Sequence, residues 1–168
     1  HEGYYILPYC PRCSTVLSNH ELNLGGYEEV QDPAITVKFK LRDEENTFFL
    51  AWTTTPWTLP SNLALALGED IEYVKVVDNG EKYILAADRL EHYYKDEGEY
   101  EIVDRYTGKD LVDIHYEPLF PFFGELEKNN AFRTFNADYV TTEDGTGIVH
   151  IAPGFGEEDY ELLRDTDI

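Results

Sequence analysis

The sequence has no methionine, only two cysteines, and 13 Lys and Arg against 34 Asp and Glu. Each shortage excludes something. A formal net charge of -21 argues against the broad basic patch of a free-standing nucleic-acid binder. It still allows a module that handles one nucleic-acid end while a larger body holds the rest. The acidic surplus otherwise makes a self-repelling, soluble surface. Cys10 and Cys13 are too close in sequence for a typical structural disulfide, so the pair suggests metal or redox chemistry. No apolar stretch approaches the length of a membrane span, and no signal peptide opens the chain. A cytoplasmic location without membrane contact is expected. With His1 first and no Met anywhere, the chain is expected to be a piece of something larger.

What is present suits one domain with a real core: 168 residues, 42% of them hydrophobic. Residues 1–20 read as a connector with a small Tyr9-Cys10-Pro11-Arg12-Cys13 knuckle, and residues 21–168 as the folded body. Residues 34–41 alternate apolar with polar, as a half-buried strand does. Thr47 to Thr53 is a more continuous apolar run, suited to a strand buried on both faces. Pro56 and Pro60 break regular structure, so Thr53 to Asn62 is expected as a bend or a short helical turn. Leu63–Leu67, Tyr73–Val77 and Tyr83–Leu85 read as strands, the last two joined by an Asp78-Asn79-Gly80 hairpin. A helix is expected over Ala86–Tyr94. Short strands are expected at Glu101–Val103, Asp110–Ile114, Tyr139–Thr142 and Gly147–Ile151, and a packed aromatic loop at Pro118–Phe123. A helix should start near Gly156 and run to Arg164. Many short strands with few helices predict an α/β, β-dominated fold: a closed or nearly closed β-barrel core with short flanking helices.

Two segments carry candidate chemistry. Thr53-Thr54-Thr55-Pro56-Trp57-Thr58-Leu59-Pro60-Ser61-Asn62 concentrates small hydroxyls beside two prolines, which hold the backbone open toward a ligand. The plain alternative is a turn whose hydroxyls bond to local backbone. Gly145 to Tyr160 ends a strand at His150, then runs through the glycine-spaced loop Gly154-Phe155-Gly156 into a helix bearing Asp159. Such a junction brings an imidazole, backbone N–H groups and a carboxylate to one cleft. The plain alternative is a core histidine and a capping aspartate. No P-loop lysine is present, so ATP hydrolysis is not expected here.

Together these segments resemble the editing (CP1) domain inserted in isoleucyl-tRNA synthetases. The Thr-Thr-Thr-Pro-Trp-Thr-Leu-Pro-x-Asn motif stands intact from Thr53 to Asn62. Gly-Thr-Gly-x-Val-His-x-Ala-Pro-x-x-Gly-x-x-Asp-Tyr stands intact from Gly145 to Tyr160. Tyr-Cys-Pro-Arg-Cys followed by Leu17-Ser18-Asn19-His20-Glu21 is similar to the junction leading into that insert. Residues 68–135 support the resemblance least. Related valyl and leucyl enzymes usually carry arginine where this chain has Thr55, which favours the isoleucyl member. The resemblance implies an aminoacyl-tRNA deacylase that clears valine from the 3′ end of the isoleucine tRNA, or from valyl-adenylate. It implies that Asp159 anchors the substrate ammonium and that His150 rejects the longer side chain, with a hydrogen bond to the terminal ribose as a further role. Thr54, Thr55 and Thr58 would line the opposite wall, and Asn62 would fix the loop or the substrate. Thr53, Trp57, Gly154, Phe155 and Gly156 would shape the pocket.

No cofactor is expected for editing. The resemblance assigns ATP and magnesium to a separate synthetic domain in the rest of the synthetase chain. It also implies that Cys10 and Cys13 are half a zinc site, completed outside these residues and remote from editing; His20 is read as a surface histidine. A valyl- or leucyl-type editing domain, or a non-catalytic interaction module, remain the competing readings.

Overall fold

The structure is a computed structural model that describes residues 4–25, 31–96 and 98–168. Toward the N-terminus, β1 (Tyr9–Cys10) and β2 (Thr15–Val16) pair antiparallel around the cysteine knuckle. The short helix α1 (Asn19–Leu22) follows, opened by a capping box between Ser18 and Glu21. The strands beyond are β3 (Ile35–Lys40), β4 (Thr47–Thr53), β5 (Ala64–Leu67), β6 (Glu72–Asp78), β7 (Glu81–Ala86), β8 (Glu101–Thr107), β9 (Arg133–Asn136) and β10 (Ile148–Ile151). They form a five-stranded sheet in the order β3-β4-β7-β6-β8 and a three-stranded sheet in the order β10-β5-β9. The β4–β7 and β5–β9 pairs are parallel and the others antiparallel.

β4 is a central strand, as its unbroken apolar run requires. Phe49 and Ala51 join a core cluster that draws on both sheets, while Leu50 points into a smaller cluster on the other side with Val74, Val76 and Leu85. The β6–β7 hairpin turns at Asn79 (φ 49°) and Gly80 (φ 87°). Two consecutive positive φ values are what a two-residue turn needs to match the strand twist.

The α/β, strand-rich character is as expected, but among the described residues neither sheet closes on itself, so the closed or nearly closed barrel expected is not seen. The sheets are stitched by isolated bridges, Leu41 to Tyr116 and His115 to Arg133. The Ala86 N–H also donates to the Thr146 carbonyl at 2.8 Å. The strand expected at Asp110–Ile114 is instead a 3-10 turn, Gly108–Leu111, capped by Thr107 and Asp110. Asp113 at φ 63° then bends the chain, leaving single bridges where a ladder would have formed.

Tyr139–Thr142 is also not a strand. Arg89 takes the carbonyls of Thr142, Glu143 and Gly145, so the backbone that follows is held by a side chain rather than a neighbouring strand. Ala86–Tyr94 divides into a 3-10 turn (Ala87–Arg89) and α2 (Leu90–Tyr93). In the aromatic segment Phe123 packs on the core, but Phe120 and Phe122 are exposed and stacked on each other. β9 was not anticipated. The last helix, α3 (Glu157–Leu163), begins after Gly156 as expected. No helix among the described residues is long and apolar enough to cross a membrane.

Candidate active site

The two motif segments meet in one cleft of about 410 Å3. β4 delivers the buried Thr53 to its wall, and the 3-10 turn Pro56–Ser61 follows the end of the strand. β10, which carries His150 one residue before its end, lies beside it, and the loop after Ala152 leads into α3 and Asp159. Thr53, Thr54, Thr55, Thr58, His150 and Asp159 all line the cleft, with Trp57, Phe155 and Gly156 around its mouth.

The threonines interlock. The Thr55 N–H donates to Thr53 Oγ1 at 3.0 Å, and the Thr58 N–H donates to the Thr55 carbonyl at 3.0 Å. The Thr58 hydroxyl donates to the same carbonyl at 2.8 Å. Thr58 is buried, whereas Thr54 and Thr55 are exposed at the rim. Trp57 and Phe155 are exposed by 63% and 60%, so both shape an entrance rather than fill a core.

His150 is 7% exposed, and its Nε2 lies 2.9 Å from Thr58 Oγ1. Burial pushes its pKa down to about 4, so the ring is neutral at physiological pH. Asp159 folds over Gly156, where an added Cβ would come within 3.1 Å of the carboxylate carbon. Its Oδ2 accepts the Ala152 N–H at 2.8 Å. Burial raises the Asp159 pKa, and that backbone donor acts in the opposite sense.

The cleft therefore offers one carboxylate able to carry a negative charge, a fixed neutral imidazole and several hydroxyls. The Thr58–His150 contact does not make an activated nucleophile. The threonine proton is already given to a carbonyl, and no carboxylate is hydrogen-bonded to the ring.

Two expected site residues lie elsewhere. Asn62 is buried behind the cleft: its amide donates to the Ala64 and Ile151 carbonyls and accepts from the Tyr116 hydroxyl at 2.6 Å. All of that serves the loop. Gly154 lines a separate hollow with Tyr4, Ile6 and Tyr160. Trp52, Val149 and Ala152 line the cleft without having been singled out for it. Their adjacency to Thr53, His150 and Pro153 was the available signal.

Cys10 and Cys13 sit at the knuckle, far along the chain from either motif. The Cys13 N–H points at Cys10 Sγ at 3.4 Å, and this donor leads the lowering of the Cys10 pKa. The Cys13 thiol is shifted the other way, raised by its hydrogen bond to the Cys10 sulfur. Among the described residues no group of three or more His, Cys, Asp or Glu gathers to complete a metal site.

Isoleucine–tRNA ligase of Treponema denticola is 50% identical across the whole chain. That of Bdellovibrio bacteriovorus is 55% identical over 95% of it. The chain spans 18% and 15% of those proteins' own lengths, less than a fifth of the curated relatives it matches. The editing domain of the P. knowlesi cytosolic leucyl-tRNA synthetase superimposes with a TM-score of 0.65 at 13% identity, covering 79% of this chain and 62% of that one. GlLeuRS-CP1 gives 0.63 at 18% identity, over 79% and 59%. The chain carries an isoleucine–tRNA ligase sequence on a CP1 editing-domain fold. No protein-family model matches it. The cleft is lined by residues of the two sequence motifs together with Trp52, while Asn62 and Gly154 lie outside it.

Proposed function

We propose that this module is the hydrolytic proofreading site of an isoleucine–tRNA ligase, clearing valine from the isoleucine tRNA and from valyl-adenylate. The observation that carries the proposal is the meeting of Asp159, His150 and the threonine turn in one cleft. A synthetic pocket that accepts isoleucine gains little against valine, since one methylene is worth about 1–3 kcal/mol. Isoleucyl-tRNA synthetase is itself the usual example of this limit, at about 150-fold. A second site that admits valine and rejects isoleucine supplies the remainder.

Asp159 binds the α-ammonium that every aminoacyl ester carries. Its partial burial strengthens that contact over an exposed ion pair. With Oδ2 tied to the Ala152 N–H, the carboxylate is held in place and Oδ1 is left to face the cation. His150, neutral and pinned, forms a wall that the extra methylene of isoleucine meets. Hydrolysis then proceeds by direct attack of water on the ester carbonyl, helped by the free hydroxyl of the terminal adenosine and by backbone donors. Positioning and electrostatics supply most of the rate. The module acts beside a separate synthetic domain that uses ATP and magnesium, in a cytoplasmic enzyme whose body holds most of the tRNA. That division of labour accommodates the net charge of -21.

The test is single-turnover deacylation by the full-length enzyme of isoleucine tRNA charged with valine or with isoleucine. Rapid release of valine alone is expected. Release of neither supports the non-catalytic module, and preferential cleavage of mischarged valine or leucine tRNA supports a valyl or leucyl type.

A further inference from the structure

Thr58 Oγ1 has two close polar neighbours, the Thr55 carbonyl at 2.8 Å and His150 Nε2 at 2.9 Å, and a more distant one, the Thr55 hydroxyl at 3.5 Å. A carbonyl has no proton to give, so the single hydroxyl proton of Thr58 is used on Thr55. The proton in the second contact must come from the ring. A neutral imidazole carries one N–H, so that proton is on Nε2 and Nδ1 is bare. Nδ1 is buried and has no hydrogen-bond partner. The opposite tautomer would set two lone pairs against each other at 2.9 Å and bury an unpaired N–H as well. Thr58 and His150 are only 6% and 7% exposed, which leaves water little room to relieve that conflict. Thr58 is itself held at two points, through its backbone N–H and its hydroxyl, both on Thr55.

We infer that Thr58 is a positioning residue: it locks His150 in the Nε2–H tautomer and in one ring orientation, and so sets side-chain selectivity through the ring. The tautomer stands on the hydrogen-bond geometry alone; its effect on selectivity rests on the proofreading function proposed above. A consequence is that the ring has no free donor. Nε2 is committed to Thr58, so the hydrogen bond from His150 to the terminal ribose, implied by the family resemblance, is not available from that atom.

The tautomer is read directly from long-range proton–nitrogen correlation spectra of the 168-residue chain labelled at its five histidines. Wild type should give His150 as a single Nε2–H species. Thr58→Val keeps the volume but removes the hydroxyl, and should give a mixture or the Nδ1–H form; Thr58→Ser should restore Nε2–H. In the full-length enzyme the ratio of valyl- to isoleucyl-tRNA deacylation rates should fall about tenfold in Thr58→Val, the worth of one neutral hydrogen bond, and recover in Thr58→Ser. An Nδ1–H ring in wild type overturns the inference. So does a Thr58→Val protein with an unchanged ratio. If Thr58→Val does not fold, the wild-type spectrum and the Thr58→Ser ratio decide. A wild-type enzyme that cleaves neither ester removes the proofreading function while leaving the spectrum, and the tautomer, intact.

Discussion

Asp159 Oδ2 accepts the backbone N–H of Ala152 at 2.8 Å, tying the first turn of α3 to the end of β10. This bond fixes the carboxylate that the proposed function needs most. Losing a partly buried, charge-assisted contact to the substrate ammonium costs on the order of 3 kcal/mol, or about 100-fold in rate. Asp159→Ala should therefore nearly abolish valyl-tRNA deacylation in the full-length enzyme and leave isoleucine activation intact. Asp159→Glu should also fail, because the extra methylene carries the carboxylate off the Ala152 N–H and into the space proposed for the valine ester. Single-turnover deacylation checks both, and near-normal rates for Asp159→Ala would remove the anchor.

His150→Ala should open the wall. The imidazole is buried and fixed by Thr58, so its removal leaves room for the longer side chain rather than a void that a neighbour fills. The variant should begin to deacylate correctly charged isoleucyl-tRNA. Unchanged discrimination between the two esters would show that the steric role belongs to another residue.

The buried ring also makes a stability prediction. Its folded pKa of about 4 lies below the ordinary 6.5, so between those values the unfolded chain binds more protons than the folded one. The stabilisation is complete above pH 6.5 and is lost as the pH falls toward 4. Between pH 7 and pH 5 this is about 2 kcal/mol, at 1.36 kcal/mol per unit below 6.5. Asp159, raised by burial, works the other way, since acid relieves the cost of its buried charge. Urea unfolding across that range should show a shallower acid loss in His150→Asn than in wild type. Equal slopes would mean that the ring is not buried in its neutral form.

Arg89 supports the cleft from a distance. Its guanidinium is buried and donates to the carbonyls of Gly145 at 2.8 Å, Glu143 at 3.0 Å and Thr142 at 3.4 Å. Gly145 in turn lies so close to Trp52 that a Cβ would sit 2.9 Å from the ring, and Trp52 lines the cleft. Arg89→Met leaves three carbonyls without their donor and should cost about 3 kcal/mol. Trp52 should loosen with the loop. The chain has two tryptophans, so fluorescence in a Trp57→Phe background reports Trp52 alone; an unchanged spectrum and unfolding midpoint would refute the clamp.

The cysteine knuckle should not hold zinc tightly in this chain. Structural zinc takes four ligands, and Cys10 and Cys13 supply two. The purified 168-residue chain should lose its zinc to mild chelation. One retained equivalent, measured by metal analysis, would point to a complete site.

Several features were legible in the sequence because backbone preference and periodicity encode them locally. The apolar run of β4, the Asn79-Gly80 turn, the proline-broken threonine loop and the glycine loop opening α3 all depend on residues a few positions apart. Tertiary structure decided what each side chain faces. Thr58 became a buried support and Thr54 and Thr55 the rim because His150, 92 residues away, packs on one and not the others. Asn62 left the cleft because Tyr116, 54 residues on, takes its carbonyl oxygen. Tyr139–Thr142 read as a strand, but Arg89 captured the following carbonyls from 53 to 56 residues away. β9 was invisible because Arg-Thr-Phe-Asn has little pattern of its own and becomes a strand by lying along β5. A hydrogen bond across such separations depends on how sheets stack and chains bend, which no short window of sequence contains.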